Sequence, residues 1–141
     1  MKRKASAIWN GGLKDGNGTI STESGALAQK QYSFSTRFEN GAGTNPEELI
    51  AAAHAGCFSM AFSAELEKAG MKATSVATTA NLNFEKTDAG FTVTAIHLET
   101  VAKVPGAAQA AFDAAANAAK VGCPISRLLK AEITLDAKLE A

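Results

Sequence analysis

The stretch from Asn45 to Gly70 constrains this chain more than any other feature, because its signals specify one long helix. Asn45 offers a side-chain oxygen to the first unpaired backbone amides, and Pro46 suits the first helical position. Glu47 and Glu48 complement the positive end of the helix dipole. Lys68 marks the last turn and Gly70 the exit. About 24 residues at 1.5 Å of rise each measure roughly 36 Å. A chain of 141 residues collapses to a globule only about 37 Å across, so the helix crosses the whole subunit. Between Leu49 and Ala64 it carries no charge beyond His54, and that stretch falls short of the roughly 20 apolar residues that span a bilayer. Ile50, Ala53, His54, Met60, Ala61 and Ala64 share the face of Cys57, while Ala52, Ala55, Ser59, Phe62 and Leu66 occupy the opposite side. Small or apolar all round, the middle of this helix needs cover on every side. A homodimer in which the partner covers part of it is the preferred solution, and a tight monomeric α+β sandwich is the alternative.

The remaining segments supply the cover. Lys2 to Trp9 alternates weakly, and the glycine-rich NGGLKDGNG that follows is a turn. Thr19 to Ser24 and Gln31 to Phe38 are further β-prone runs, which makes the N-terminal third a β-meander. EKTDAG separates two alternating runs, Ala73 to Glu85 and Phe91 to Lys103, as a hairpin. Ala107 to Lys120 is an alanine-rich second helix, and CPISRLLK starts a short one. Ile133, Leu135, Ala137 and Leu139 alternate in a final strand. The expected class is α+β, with residues 1–141 forming a single domain.

Fourteen basic residues balance fourteen acidic ones. With no basic run beyond Lys2, Arg3 and Lys4, nothing marks a surface for nucleic acid or an anionic membrane. The N-terminal MKRKASAIWNGG lacks the apolar core of an export signal. The expected location is the cytoplasm, where two distant cysteines are catalytic or inert rather than a permanent crosslink.

Those cysteines sit in contrasting places. Cys123 follows Gly122 and precedes Pro124, at the start of a short helix whose free backbone N–H groups favour a thiolate, with Arg127 four residues on. Cys57 lies mid-helix, where apolar burial raises a thiol pKa, so it needs an imported cation to become a nucleophile. Each chemical feature has a plain alternative. Cys57 can be a small core hydrophobe, His54 a packed or interface histidine, and Arg37 in FSTRFEN an exposed strand-end charge. Two histidines and two cysteines can make a zinc site, but His97 lacks paired spacing. No phosphate loop, paired-carboxylate signature or serine elbow is present.

Three segments are more specific together: TNPEELIAAAHAGCFSMA, STESGALAQKQYSFSTRFE and GCPISRLLKAEITL. The Asn-Pro-Glu before a helix, the cysteine ten residues after that glutamate and the later Cys-Pro resemble the OsmC/Ohr family of thiol peroxidases, in its OsmC branch, from Trp9 to Leu139. The resemblance implies an α+β fold built as an intertwined homodimer that reduces organic hydroperoxides and hydrogen peroxide without cofactor or metal. On matching positions Cys57 resembles the peroxidatic cysteine and Cys123 the resolving one. Arg37 resembles the activating arginine, and Glu47 the carboxylate that holds it. The Ohr branch takes its arginine from an earlier loop, which here reads GGLKDGNG and has none. A dithiol reductant is implied, with lipoyl-bearing proteins its source. Local chemistry favours Cys123 as the reactive thiol, and the resemblance reverses that order.

Glu47 and Cys57 are ten residues apart, about 15 Å on a straight helix. A network of carboxylate, arginine and thiolate therefore requires either a long reach by Arg37 or a glutamate from the partner subunit, and we expect the second. Phe38, Leu49, Phe58, Met60 and Ile125 are candidates for an apolar substrate entrance, or equally for the core. The competing class of function is a dimeric small-ligand-binding module of the same fold without a redox cycle.

Overall fold

Residues 1–141 are all described by the computed structural model, which divides into one unit of residues 1–49 and another of residues 50–141. In the first unit, strands β1 (Ala5–Asn10), β2 (Asn17–Thr22) and β3 (Lys30–Tyr32) form an antiparallel sheet in sequence order. Gly18 in β2 pairs with both Trp9 and Tyr32, whose ring centroids are 5.3 Å apart. A Cβ there would meet Tyr32 at 2.6 Å and Trp9 at 2.9 Å, so only glycine lets the two rings close over the strand.

The expected strand from Gln31 to Phe38 is overturned. It breaks after Tyr32 into helix α1 (Phe34–Phe38). Ser33 Oγ accepts from the Thr36 amide at 3.2 Å, and Thr36 Oγ1 accepts from the Ser33 amide at 2.8 Å. This reciprocal cap satisfies two otherwise orphaned donors and outweighs the β propensity of the aromatic residues around it. Arg37 consequently occupies the last turn of a helix rather than a strand end.

Helix α2 (Pro46–Lys68) starts in the first unit. Asn45 Oδ1 accepts from the Glu48 amide at 2.8 Å, and Asn45 Nδ2 donates to the Thr36 carbonyl at 3.2 Å, which ties this start to α1. At the other end the amides of Gly70 and Met71 donate to the carbonyls of Glu67 and Leu66 at 2.9 and 2.8 Å. Gly70 adopts a φ of 79° there, the left-handed residue that closes such a double bond.

In the second unit, β4 (Ser75–Thr87) and β5 (Gly90–Lys103) make an antiparallel hairpin. Strand β6 (Glu132–Glu140) joins β5 in parallel after a crossover through α3 (Gln109–Gly122) and α4 (Pro124–Leu128). Alternation along β4 as far as Glu85, and throughout β6, turns one face of the sheet towards the core. Phe58, Phe62 and Leu66 of α2 meet Ile96, Leu98 and Ala102 of β5 and Phe112, Ala115, Ala116 and Ala119 of α3. The Phe62 ring lies 5.7 Å from Phe58 and 5.2 Å edge-on from Phe112. Ser59 Oγ donates to Thr78 Oγ1 at 2.8 Å, fastening α2 to the sheet.

By length and composition α2 is long and apolar enough to cross a membrane, contrary to the estimate from its uncharged stretch alone. Its four-residue stripe His54, Phe58, Phe62 and Leu66 is instead wholly buried in protein. Ala52, Ala53, Gly56, Met60 and Ala64 are exposed, Met60 by 78%. The chain thus covers one side of this helix and leaves a side of small and apolar residues bare.

Candidate active site

Each unit holds one cluster of chemically competent side chains. In residues 1–49 it is an ion pair. Arg37 Nη2 donates to Glu47 Oε1 at 2.7 Å, while Nε lies 3.0 and 3.2 Å from Oε1 and Oε2. Such a fork on a carboxylate is directional as well as strong. Glu47 is nearly buried, Arg37 is partly exposed, and the guanidinium carbon sits 5.5 Å from the Phe38 ring centre. Around this arginine Trp9, Leu13, Tyr32, Ser33, Phe34 and Phe38 line a cleft of about 250 Å³. Its aromatic and aliphatic walls beside a cation suit a small molecule with an apolar tail and a polar head.

The cluster in residues 50–141 is the pair of thiols. Cys57 and Cys123 are both free, and Cys123 Sγ donates to Cys57 Sγ at 2.8 Å. Closing to the bonded length of about 2.05 Å requires only a small shift. The two differ in access, since Cys57 is half-buried and Cys123 has no exposed surface. A reagent from solution therefore meets Cys57 first, with Cys123 already in contact behind it.

Burial above all, and then the adjoining Cys123 sulfur, push the Cys57 thiol up, while the Ile125 backbone amide pulls it partly back down. That amide belongs to the first turn of α4, whose free N–H groups the local signals assign to Cys123. Cys123 is the N-cap residue of α4, yet its side chain makes no cap hydrogen bond. Its sulfur donates to Cys57 of α2 instead, and it is the Cys57 pKa that the first-turn amide of Ile125 lowers. Burial remains the dominant cause and leaves the Cys57 thiol above its ordinary pKa.

The two histidines are engaged separately. His97 on β5 bonds to Thr134 and Asp136 of β6, whereas His54 bonds to Ser126 of α4. Among the five candidates for an apolar entrance, Phe38 lines the cleft, Phe58 is core, and Met60 lies on the bare side of α2. Trp9, Leu13, Tyr32 and Phe34 were not singled out by sequence reasoning. Trp9 and Tyr32 carried a signal in their shared pairing with Gly18, but only strand register reveals it.

The OsmC-like protein family matches residues 39–138. Peroxiredoxin OsmC of Escherichia coli strain K12 is 54% identical over 141 residues, covering 100% of this chain and 99% of that protein. An OsmC-like protein from Mycoplasma pneumoniae has the same fold, with a TM-score of 0.78 at 14% identity over 100% of this chain and 99% of that one. The organic hydroperoxide resistance protein OhrB of Bacillus subtilis aligns with a TM-score of 0.67 at 22% identity, over 97% and 98% of the two chains.

Proposed function

The chain belongs to the OsmC-like protein family and is a peroxidase, and we propose that it reduces organic hydroperoxides and hydrogen peroxide through Cys57 and Cys123. The observation that carries this reading is the contact of an accessible thiol with a buried one, two sulfurs 2.8 Å apart from residues distant in sequence. The Cys57 thiolate attacks the distal oxygen of the peroxide and breaks the O–O bond. Protonation of the leaving oxygen gives alcohol or water, and Cys57 becomes a sulfenic acid. Cys123 then condenses with it, forming the disulfide and releasing water. A dithiol reductant, of the lipoyl type, returns both thiols.

Arg37, held by Glu47, is the cation that stabilises the Cys57 thiolate and polarises the peroxide in this scheme. The fork supports that role because it fixes the guanidinium and leaves part of it exposed. The aromatic cleft beside Arg37 supports alkyl hydroperoxides as substrates. We infer a homodimer in which the Arg37–Glu47 pair of one subunit serves Cys57 of the other. Support comes from the bare apolar side of α2 and from the helical spacing of Glu47 and Cys57. The family match runs across residues 49 and 50, which supports treating the two units as one functional domain. Two free thiols fit a reducing cytoplasm.

Peroxide titration tests the assignment directly. One equivalent should convert both thiols to a Cys57–Cys123 disulfide, seen as a peptide crosslink by mass spectrometry. Cys57→Ser should abolish peroxide consumption, and Cys123→Ser should accumulate sulfenic or sulfinic acid at Cys57. Full turnover by Cys57→Ser refutes the role given to Cys57, whereas no disulfide in the folded protein favours the non-catalytic binding module.

A further inference from the structure

His54 is fully buried and titratable, and the chemistry above leaves it unused. It sits one turn before Cys57 on α2, and its Nε2 lies 2.7 Å from Oγ of Ser126, three residues after Cys123. Its Nδ1 is buried with no partner. An orphaned N–H is rarer in folded proteins than an orphaned lone pair, which assigns the proton to Nε2, donating to Ser126 Oγ. Burial lowers the pKa of the ring and so favours this neutral form. An unpaired buried nitrogen costs stability, and an apolar side chain of similar size would fill this place without that cost. The hydrogen bond to Ser126 is what the histidine adds.

We propose that His54 and Ser126 are positioning residues that fasten α4 to α2 and so set the rate at which Cys123 captures the sulfenic acid of Cys57. This rests on the peroxidase reading above. Helix α4 has five residues, none of them buried, and Ile125 is the one that packs against the core. Its ties at this end run through the reacting atom: the Cys123 thiol donates to the Cys57 sulfur, and the Ile125 amide lowers the pKa of the same thiol. Oxidation places an oxygen on that sulfur and disturbs both. The His54–Ser126 bond does not involve it and persists through the cycle. In the step it serves, the Cys57 S–O bond breaks and the S–S bond forms. The Cys123 sulfur is oxidised, the sulfenic sulfur is reduced, and the thiol proton leaves with the hydroxyl as water.

Two rates separate positioning from general destabilisation. One is formation of the sulfenic acid after mixing with cumene hydroperoxide, trapped with a 1,3-dione. The other is its closure to the disulfide, both read by quench-flow mass spectrometry. Ser126→Ala should slow closure about three- to tenfold, the size of one lost hydrogen bond, leave formation unchanged and raise sulfinic acid per turnover. His54→Gln, whose amide can still donate to Ser126, should close near the wild-type rate, and His54→Leu should match Ser126→Ala. Unchanged closure in Ser126→Ala, equal slowing of both steps, or equal closure in His54→Gln and His54→Leu would overturn the proposal. An aromatic disulfide reagent supplies a peroxide-free arm, since it loads Cys57 and Cys123 then expels the second aromatic thiolate. If peroxide oxidises nothing in the wild type while this closure still depends on Ser126, the peroxidase reading fails and the alignment role stands. If peroxide turnover is normal and neither closure depends on Ser126, the alignment role fails alone.

Discussion

Replacing Glu47 by glutamine tests the ion pair with almost no change of shape. The carboxylate presents acceptors to both Nε and Nη2 of Arg37, at 3.0 and 2.7 Å on Oε1 and 3.2 Å on Oε2. An amide keeps one oxygen, which can take the place of Oε1 and accept from both nitrogens, but it carries no charge and sets an N–H against Nε where Oε2 stood. A charge-assisted hydrogen bond contributes about 1.5–3 kcal/mol. Arg37 is 40% exposed, and solvent screening discounts this to about 1–2 kcal/mol. At about 1.4 kcal/mol per tenfold, the rate of Cys57 oxidation in Glu47→Gln should fall roughly five- to thirtyfold. Stopped-flow measurement with cumene hydroperoxide in excess reads that step without interference from the reductant. Arg37→Met should fall at least as far, and adding Glu47→Gln to it should cost little more, because the two act as one unit. Wild-type oxidation rates in Glu47→Gln would refute a role for the carboxylate. Wild-type rates in both single variants would show that the fork braces α1 against the start of α2 and does no chemistry.

Mixed dimers of Cys57→Ser and Glu47→Gln subunits decide which subunit serves which site. A shared site leaves one centre with both defects and one intact, so half the wild-type activity survives per dimer, whereas sites within single subunits leave both damaged. Met60, 78% exposed on the bare side of α2, should lie against the partner. Met60→Glu should shift sedimentation towards monomer and reduce turnover with it, and an unchanged dimer would remove this side of α2 from the interface. His54 gives an acid-stability test. Burial lowers its folded pKa below the ordinary 6.5, so on acidification the unfolded chain takes up the proton first. Its contribution to stability is full above pH 6.5 and is lost as pH falls through the lower folded value, with a slope of at most about 1.4 kcal/mol per pH unit. Urea denaturation at a series of pH values should therefore show a shallower acid loss for His54→Gln than for wild type, and equal slopes would refute burial as the cause.

Much of this architecture is written locally. Asn45, Pro46 and Gly70 bracket α2 because caps act through bonds within four or five residues, and each of those bonds is present. The β4–β5 hairpin follows from alternation on either side of a short turn. The aromatic residues around Ser33 and Thr36 read as strand, and the reciprocal hydrogen bond of that pair overrides them. Arg37 and Glu47 are ten residues apart, and their pairing depends on that correction, since α1 turns the arginine onto the start of α2.

Residue types and spacing thus determined by themselves a long capped helix, an α+β chain and a motif that names two cysteines. Only the tertiary structure decided what those cysteines meet. Cys57 and Cys123 lie 66 residues apart in sequence, and the return of the chain through α3 brings their sulfurs into contact. Local logic placed the amides of α4 on Cys123, but in the packed chain it is the Cys57 pKa that the Ile125 amide lowers, and Ser126 joins His54. A helix terminus advertises free donors in its sequence. Which acceptor reaches them depends on the element packed alongside, and no short window of residues contains that element.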